Sequence, residues 1–275
     1  MIATPSVPLL RRVRHRLRTH ASEHPAIYLP FARRKYPGPS PQVISSRTQL
    51  VMDGYTRSAT TFAVYALQLS QATPVRVAHH LHAPAQFIEA ARRGIPALLL
   101  IREPQGAILS QLIREPDVTL HDALVAYSRF HSCLLPYREN FVVGDFEEVT
   151  HEFGQVVRRL NARFGTSFVE FVHTRANLRE CEDLIKLRGT LSKTLLGFES
   201  GDVTWEELQR ERPTIAGARP VDARDAWIPS ENRERAKASL REQWLHPSLA
   251  RLRDRAQLLY QGLVDQPGGH SASSR

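Results

Sequence analysis

Gln49-Leu50-Val51-Met52-Asp53-Gly54-Tyr55-Thr56-Arg57-Ser58-Ala59-Thr60-Thr61 is the stretch that decides the fold. A short apolar run ends in the turn pair Asp53-Gly54, and Thr60 to Ser70 then reads as a helix. Strand, loop and helix in that order make the opening unit of an α/β domain. The alternation continues downstream. Val75-Arg76-Val77-Ala78-His79 predicts a second strand, and Pro84 to Arg93 a helix stopped by Gly94. Ala97-Leu98-Leu99-Leu100-Ile101 predicts a third strand, apolar on both faces as parallel strands buried under helices are. Helices are expected from Gln105 to Ile113, Leu120 to Leu134 and Thr150 to Phe164, with a fourth strand at Phe141-Val142-Val143. Such a chain forms a central parallel β-sheet flanked by helices, joined by right-handed crossovers.

Outward from this core the pattern changes. The Pro-rich connection Tyr36-Pro37-Gly38-Pro39-Ser40-Pro41 separates a basic N-terminal arm from the alternating region, so 1–42 is expected as arm and connection and 43–264 as one domain. Its C-terminal part is helical and Arg-rich, with helices from Ala176 to Leu187 and from Glu231 to Val264 separated by a Gly/Pro-punctuated segment. Residues 265–275 read as a flexible tail.

Composition narrows the function classes. The chain has 275 residues, 42% hydrophobic, with 37 Lys and Arg against 28 Asp and Glu, a net +9. Neither a disordered segment nor a bilayer-spanning protein has this balance, and no run approaches the roughly 18 apolar residues that a span requires. Arg11, Arg12, Arg14, Arg16, Arg18, Arg33, Arg34, Lys35 and Arg47 face one acid, Glu23, giving the first fifty residues a net +8 and the remainder +1. The arm is therefore expected as a solvated basic segment or outer helix, or as a contact with an anionic membrane surface. Cys133 and Cys181 stand apart, without a second Cys or a His at ligand spacing. That argues against a disulfide scaffold and a structural zinc site, and fits a reducing cytoplasm.

The loop after the first strand supplies a glycine, the cation Arg57, the hydroxyls of Ser58, Thr60 and Thr61, and a helix N-terminus. These are what a dianionic group needs: unpaired N–H donors, the positive end of a helix dipole and a bidentate guanidinium. It is not a Walker A loop, because the Gly-Lys-Ser/Thr ending is missing. The third strand ends in Ile101-Arg102-Glu103-Pro104, and Ser110 follows Arg102 by eight residues on the next helix. Arg102 and Ser110 could hold a second anion.

At these residues the chain resembles the sulfotransferases that use 3′-phosphoadenosine 5′-phosphosulfate (PAPS). Tyr55-Thr56-Arg57-Ser58-Ala59-Thr60-Thr61-Phe62 is similar to that family's phosphosulfate loop, usually Tyr-Pro-Lys-Ser-Gly-Thr-Thr-Trp, and Arg102 to Ser110 resembles its 3′-phosphate motif. The two lie 45 residues apart, each after an expected strand. The resemblance is good over about 47–150 and looser elsewhere. It departs from the pattern at Arg57 for Lys, Thr56 for Pro and Ala59 for Gly, which costs the loop a proton donor, a φ constraint and a glycine.

The resemblance implies a P-loop NTPase-like fold, PAPS as co-substrate and no metal. It assigns Arg57, Ser58, Ala59, Thr60 and Thr61 to the phosphosulfate, and Arg102 and Ser110 to the 3′-phosphate. Ala78-His79-His80-Leu81-His82 corresponds to a segment whose histidine is the base, and His80 matches it, with Glu89 in reserve and His79 and His82 as surface or pocket residues. Three histidines so closely spaced suggest a metal, but on a strand or loop they point in different directions. The family's closing Arg-Lys-Gly is missing; Arg188-Gly189 and Arg219-Pro220 are the candidates, with Arg219 carried into the nucleotide site. The acceptor would be a small-molecule, glycan or lipid hydroxyl, or an amine, with no nucleic acid involved and a homodimer compatible. The rival readings are a nucleotide-dependent kinase of related architecture and a non-catalytic polyanion binder.

Overall fold

Leu50–Gly54 and Ala97–Ile101 are buried at every position, the condition of strands covered on both faces. The computed structural model describes residues 8–36, 41–218 and 231–265. In chain order they form α1 (Leu9–Ala21), α2 (Pro25–Lys35), β1 (Leu50–Gly54), α3 (Thr60–Ser70), β2 (Val77–Ala78), α4 (Pro84–Arg93), β3 (Ala97–Ile101) and α5 (Pro104–Arg114). Then come α6 (Leu120–Ser132), β4 (Val142–Asp145), α7 (Phe146–Phe164), α8 (Arg175–Leu187), α9 (Lys193–Ser200), α10 (Trp205–Gly217), α11 (Glu231–Trp244) and α12 (Ala250–Val264).

The four strands make one parallel sheet in the order β2-β1-β3-β4, with Val51 opposite both Ala78 and Ala97, and Leu98 opposite Val142. Alternation along β3 sends Ala97, Leu99 and Ile101 into one apolar layer and Leu98 and Leu100 into the other. The first layer is closed by α2, α4, α5, α6, α11 and α12, the second by α3, α7, α8, α9 and α10. Gly54 is required where β1 meets β3, since a Cβ there would lie 1.9 Å from the carbonyl oxygen of Leu100. The molecule is therefore the expected α/β domain with a parallel sheet between helical layers.

Several boundaries differ from expectation. β2 shrinks to two residues because the N–H of His79 leaves the ladder for the carbonyl of Pro41 at 2.8 Å. The helix expected from 231 to 264 is broken at Leu245-His246-Pro247, the proline being unable to continue it. The punctuated segment before it holds two helices, α9 and α10, the latter opened by a capping box between Thr204 and Glu207. Residues 9–35, set apart by charge, fold onto the domain: Tyr28, Leu29 and Ala32 of α2 join the core, and α1 packs on α6. Arg12 and Arg16 of α1 bind the buried carboxylate of Asp122 at 3.0 and 2.8 Å, and Arg129 of α6 returns a two-pronged contact to Glu23. Most of the expected tail, from residue 266, and Arg219 lie outside the described residues.

Candidate functional site

In this strand order the chain leaves β1 for β2 on one side and leaves β3 for β4 on the other, so a switch point lies between β1 and β3. Ligands of open parallel sheets bind at the carboxyl end of such a switch point. Arg57 follows β1 and Arg102 follows β3, so both stand at that edge.

The β1–α3 loop is tightly wound. Arg57 (φ 70°) and Ala59 (φ 64°) both take left-handed backbone conformations, at a cost of about 1–2 kcal/mol for a residue with a Cβ. Ala59 thus holds a conformation that suits glycine. The first intrahelical bond of α3 runs from the N–H of Ala63 to the carbonyl of Ala59 at 3.0 Å. The N–H groups of Thr60, Thr61 and Phe62 therefore have no helical acceptor. Within this turn the hydroxyls of Ser58 (1% exposed) and Thr60 (4% exposed) are buried without a hydrogen-bond partner. Buried hydroxyls are normally satisfied. Two orphaned ones at a helix N-terminus describe a cradle shaped for an acceptor-rich group.

The second motif meets the first. Arg57 donates through Nε to Oγ of Ser110 at 3.0 Å, and Arg102 donates to the carbonyl of Arg57 at 3.4 Å. The Arg102 guanidinium lies 3.8 Å above the ring of Phe146, and its own carbonyl accepts the Tyr127 hydroxyl at 2.6 Å. Glu103 is spent on capping α5, accepting from the N–H groups of Gln105 and Gly106. Two guanidinium groups, Ser110 and the orphaned hydroxyls thus gather at one sheet edge.

The histidine segment is equally constrained. His80 (φ 59°) and His82 (φ 52°) are left-handed, so four of the five such non-glycine residues among the described ones flank the ends of β1 and β2. Strain of this kind concentrates where function holds the backbone. His80 places Nε2 3.0 Å from the Thr61 hydroxyl and Nδ1 against Nδ1 of His79. Burial, with Arg188 and the neighbouring histidines, drives its pKa well below the ordinary value. His82 instead meets Asp53 (0% exposed) at 3.1 Å. It lines a cleft with Thr56, Gln111 and Glu115, closed on the far side by His15 and Arg18 of α1. Glu89, half-buried in the second turn of α4, does not line that cleft.

Arg188 pairs with Glu199 (1% exposed) at 2.7 Å, and the Tyr65 hydroxyl donates to the same carboxylate oxygen at 2.5 Å. Donor atoms of His79, His80 and Glu199 fall within 4.8 Å of one another. The same carboxylate is also held by Arg188 and Tyr65. A separate cleft, lined by Ser45, Arg47, Arg76 and Asp202, lies at the amino-terminal end of β1, away from Arg57.

Reading the sequence singled out Arg57, Ser58, Thr60, Thr61, Arg102 and Ser110, and the structure brings them together. It missed Asp53, which the sequence marked only as a turn residue, and Phe146, whose position over Arg102 had no local signal. No protein-family model matches this chain, and no curated protein matches it.

Proposed function

We propose that the chain is a sulfotransferase that takes the sulfuryl group of PAPS and passes it to an acceptor hydroxyl or amine. The observation that carries this reading is the loop at the end of β1, where two buried hydroxyls without partners surround a helix N-terminus beside Arg57. Arg57, Ser58, Ala59, Thr60 and Thr61 would receive the phosphosulfate, and Arg102 with Ser110 the 3′-phosphate. Arg57 and the loop N–H groups then stabilise charge growing on the leaving phosphate in a loose, in-line transfer, the larger part of such catalysis. A kinase of related architecture needs a loop lysine that this chain replaces with arginine. A simple polyanion binder leaves the convergence of Arg57, Ser110 and Arg102 without a purpose. Incubation with labelled PAPS and a panel of alcohols, phenols, sugars and amines, read by product mass, tests the reading: acceptors gaining one sulfuryl group support it, and labelled phosphate transfer from ATP instead contradicts it.

The N-terminal helix suits a membrane partner. α1 docks through its ion-pairing side and turns Leu9 (75% exposed), Val13 and Leu17 outward along one face, next to the exposed Arg14. An apolar stripe flanked by bases fits an anionic lipid surface. Salt-sensitive binding to phosphatidylserine vesicles, lost in Leu9→Asp/Leu17→Asp, is expected; binding that survives this change rules the stripe out. No helix among the described residues is long and apolar enough to cross a membrane. Cys133 and Cys181 are free thiols, which supports a reducing compartment such as the cytoplasm.

A further inference from the structure

We propose that His82, oriented by Asp53, removes the acceptor's proton, and that the cleft closed by α1 is where the acceptor binds. This rests on the sulfuryl-transfer reading above. The tautomer follows from the neighbours. Nδ1 of His82 lies 2.9 Å from the carbonyl oxygen of Gly54 and 3.1 Å from Oδ1 of Asp53. Both are acceptors only, so Nδ1 carries the hydrogen and the lone pair sits on Nε2. Asp53 is itself fixed, accepting from the N–H groups of Gly54, Leu81 and His82 at 2.8–2.9 Å. His82 keeps 25% of its side chain exposed and lines the cleft beside Thr56 of the cradle loop. His80 has both ring nitrogens against protein groups, Thr61 and His79, and does not line the cleft.

The groups facing His82 are Asp53 from β1, Arg18 from α1 and His80 in its own loop, while His15 of α1 and Glu115, just past the end of α5, share the cleft. Burial opposes its protonation, but the Asp53 carboxylate outweighs burial and raises its pKa above the ordinary value. It is thus a stronger base than free imidazole, and it can hold the proton it takes. The step balances without oxidant or metal. The acceptor O–H proton passes to Nε2 as the oxygen bonds to sulfur; the bond from sulfur to the bridging oxygen of PAPS breaks, and its electron pair stays with the phosphate. The proton leaves His82 for solvent once product departs. Asp53 acts through His82 as a positioning residue.

The test compares wild type, His82→Ala, His82→Gln and Asp53→Asn with PAPS and phenols of graded acidity, from phenol to 4-nitrophenol, alongside binding of adenosine 3′,5′-bisphosphate. His82→Ala and His82→Gln should lower kcat on phenol about 10²–10⁴-fold, leave bisphosphate affinity unchanged, lose far less on 4-nitrophenol, and His82→Ala should regain part of the rate with added imidazole. Neutral His82 is the active form, so kcat/KM falls as pH drops through its raised pKa; Asp53→Asn should move that limb to lower pH, which a merely structural role would not do. Full turnover on phenol in His82→Ala, with wild type active, overturns the proposal and leaves the sulfotransferase reading standing. A wild type that neither binds the bisphosphate nor transfers sulfuryl overturns both. A ¹⁵N spectrum placing the His82 hydrogen on Nε2 overturns the dyad independently of turnover.

Discussion

Ala59 occupies φ 64° and ψ 19° at the N-cap of α3, a conformation in which a Cβ is a liability and glycine is at ease. Where the resembling loop carries glycine this sequence carries alanine, and the structure gives that alanine a left-handed backbone. Ala59→Gly should therefore relieve strain and stabilise the fold by about 0.5–1 kcal/mol after glycine's greater unfolded-state entropy is subtracted. In a melt that is an increase of about 1–4 °C, and a lower Tm would show that the turn is not strained. Arg102 carries the larger functional consequence. Its guanidinium is stacked on Phe146 and bonded to the Arg57 carbonyl. Arg102→Ala should weaken adenosine 3′,5′-bisphosphate binding by about 2–4 kcal/mol, or roughly 30- to 1,000-fold, with the melt nearly unchanged. Equal affinity in the variant would remove Arg102 from the 3′-phosphate site.

At the scale of elements, α1 is held by polar contacts. Burial alone would raise the pKa of Asp122, but hydrogen bonds from Arg16, Thr119 and Arg12 outweigh it and hold the carboxyl down to about 2. A depressed folded pKa gives stability that is present above the unfolded value of about 3.9 and is lost as pH falls through the folded one. α1 should stay docked above about pH 4 and loosen progressively as pH falls from there toward about 2. With the acid buried and its arginines partly exposed, Asp122→Ala should cost about 1–2 kcal/mol, between the surface and buried limits, and open α1 to limited proteolysis near Arg14. Unchanged cleavage at neutral pH would place the anchorage elsewhere. Elements with a local signal were legible: β3 as an all-apolar pentapeptide, and α4 between Pro84 at its first turn and left-handed Gly94 at its end. An outer helix was one of the expected forms of the arm, but its attachment was not legible, because the pairing of Arg12 and Arg16 with Asp122 joins residues 110 and 106 positions apart. α10 was hidden by Pro213 inside it. The anion cradle was legible because each half is contiguous in sequence. The His82–Asp53 pair was not, since it depends on left-handed turns at His80 and His82 that fold the loop back over β1.

Across the whole molecule, the strand order reverses between β1 and β3, and the two cationic motifs meet there. One helical layer buries the far side of the sheet; the other, with α1 at its edge, walls the cleft that opens beside the cradle. The architecture thus sets the edge holding Arg57 and Arg102 beside the cleft lined by His82, the arrangement that the proposed two-substrate transfer requires. Most of the excess positive charge lies in the first fifty residues, where Arg11, Arg12 and Arg16 are tied to specific acids, Asp117 and Asp122. The most direct measurement is calorimetric titration of the full chain with adenosine 3′,5′-bisphosphate, and separately with ATP, each with and without Mg²⁺. The account predicts micromolar or tighter binding of the bisphosphate, independent of Mg²⁺ and at least tenfold tighter than ATP; tighter binding of ATP that depends on Mg²⁺, or no binding of the bisphosphate, would contradict it.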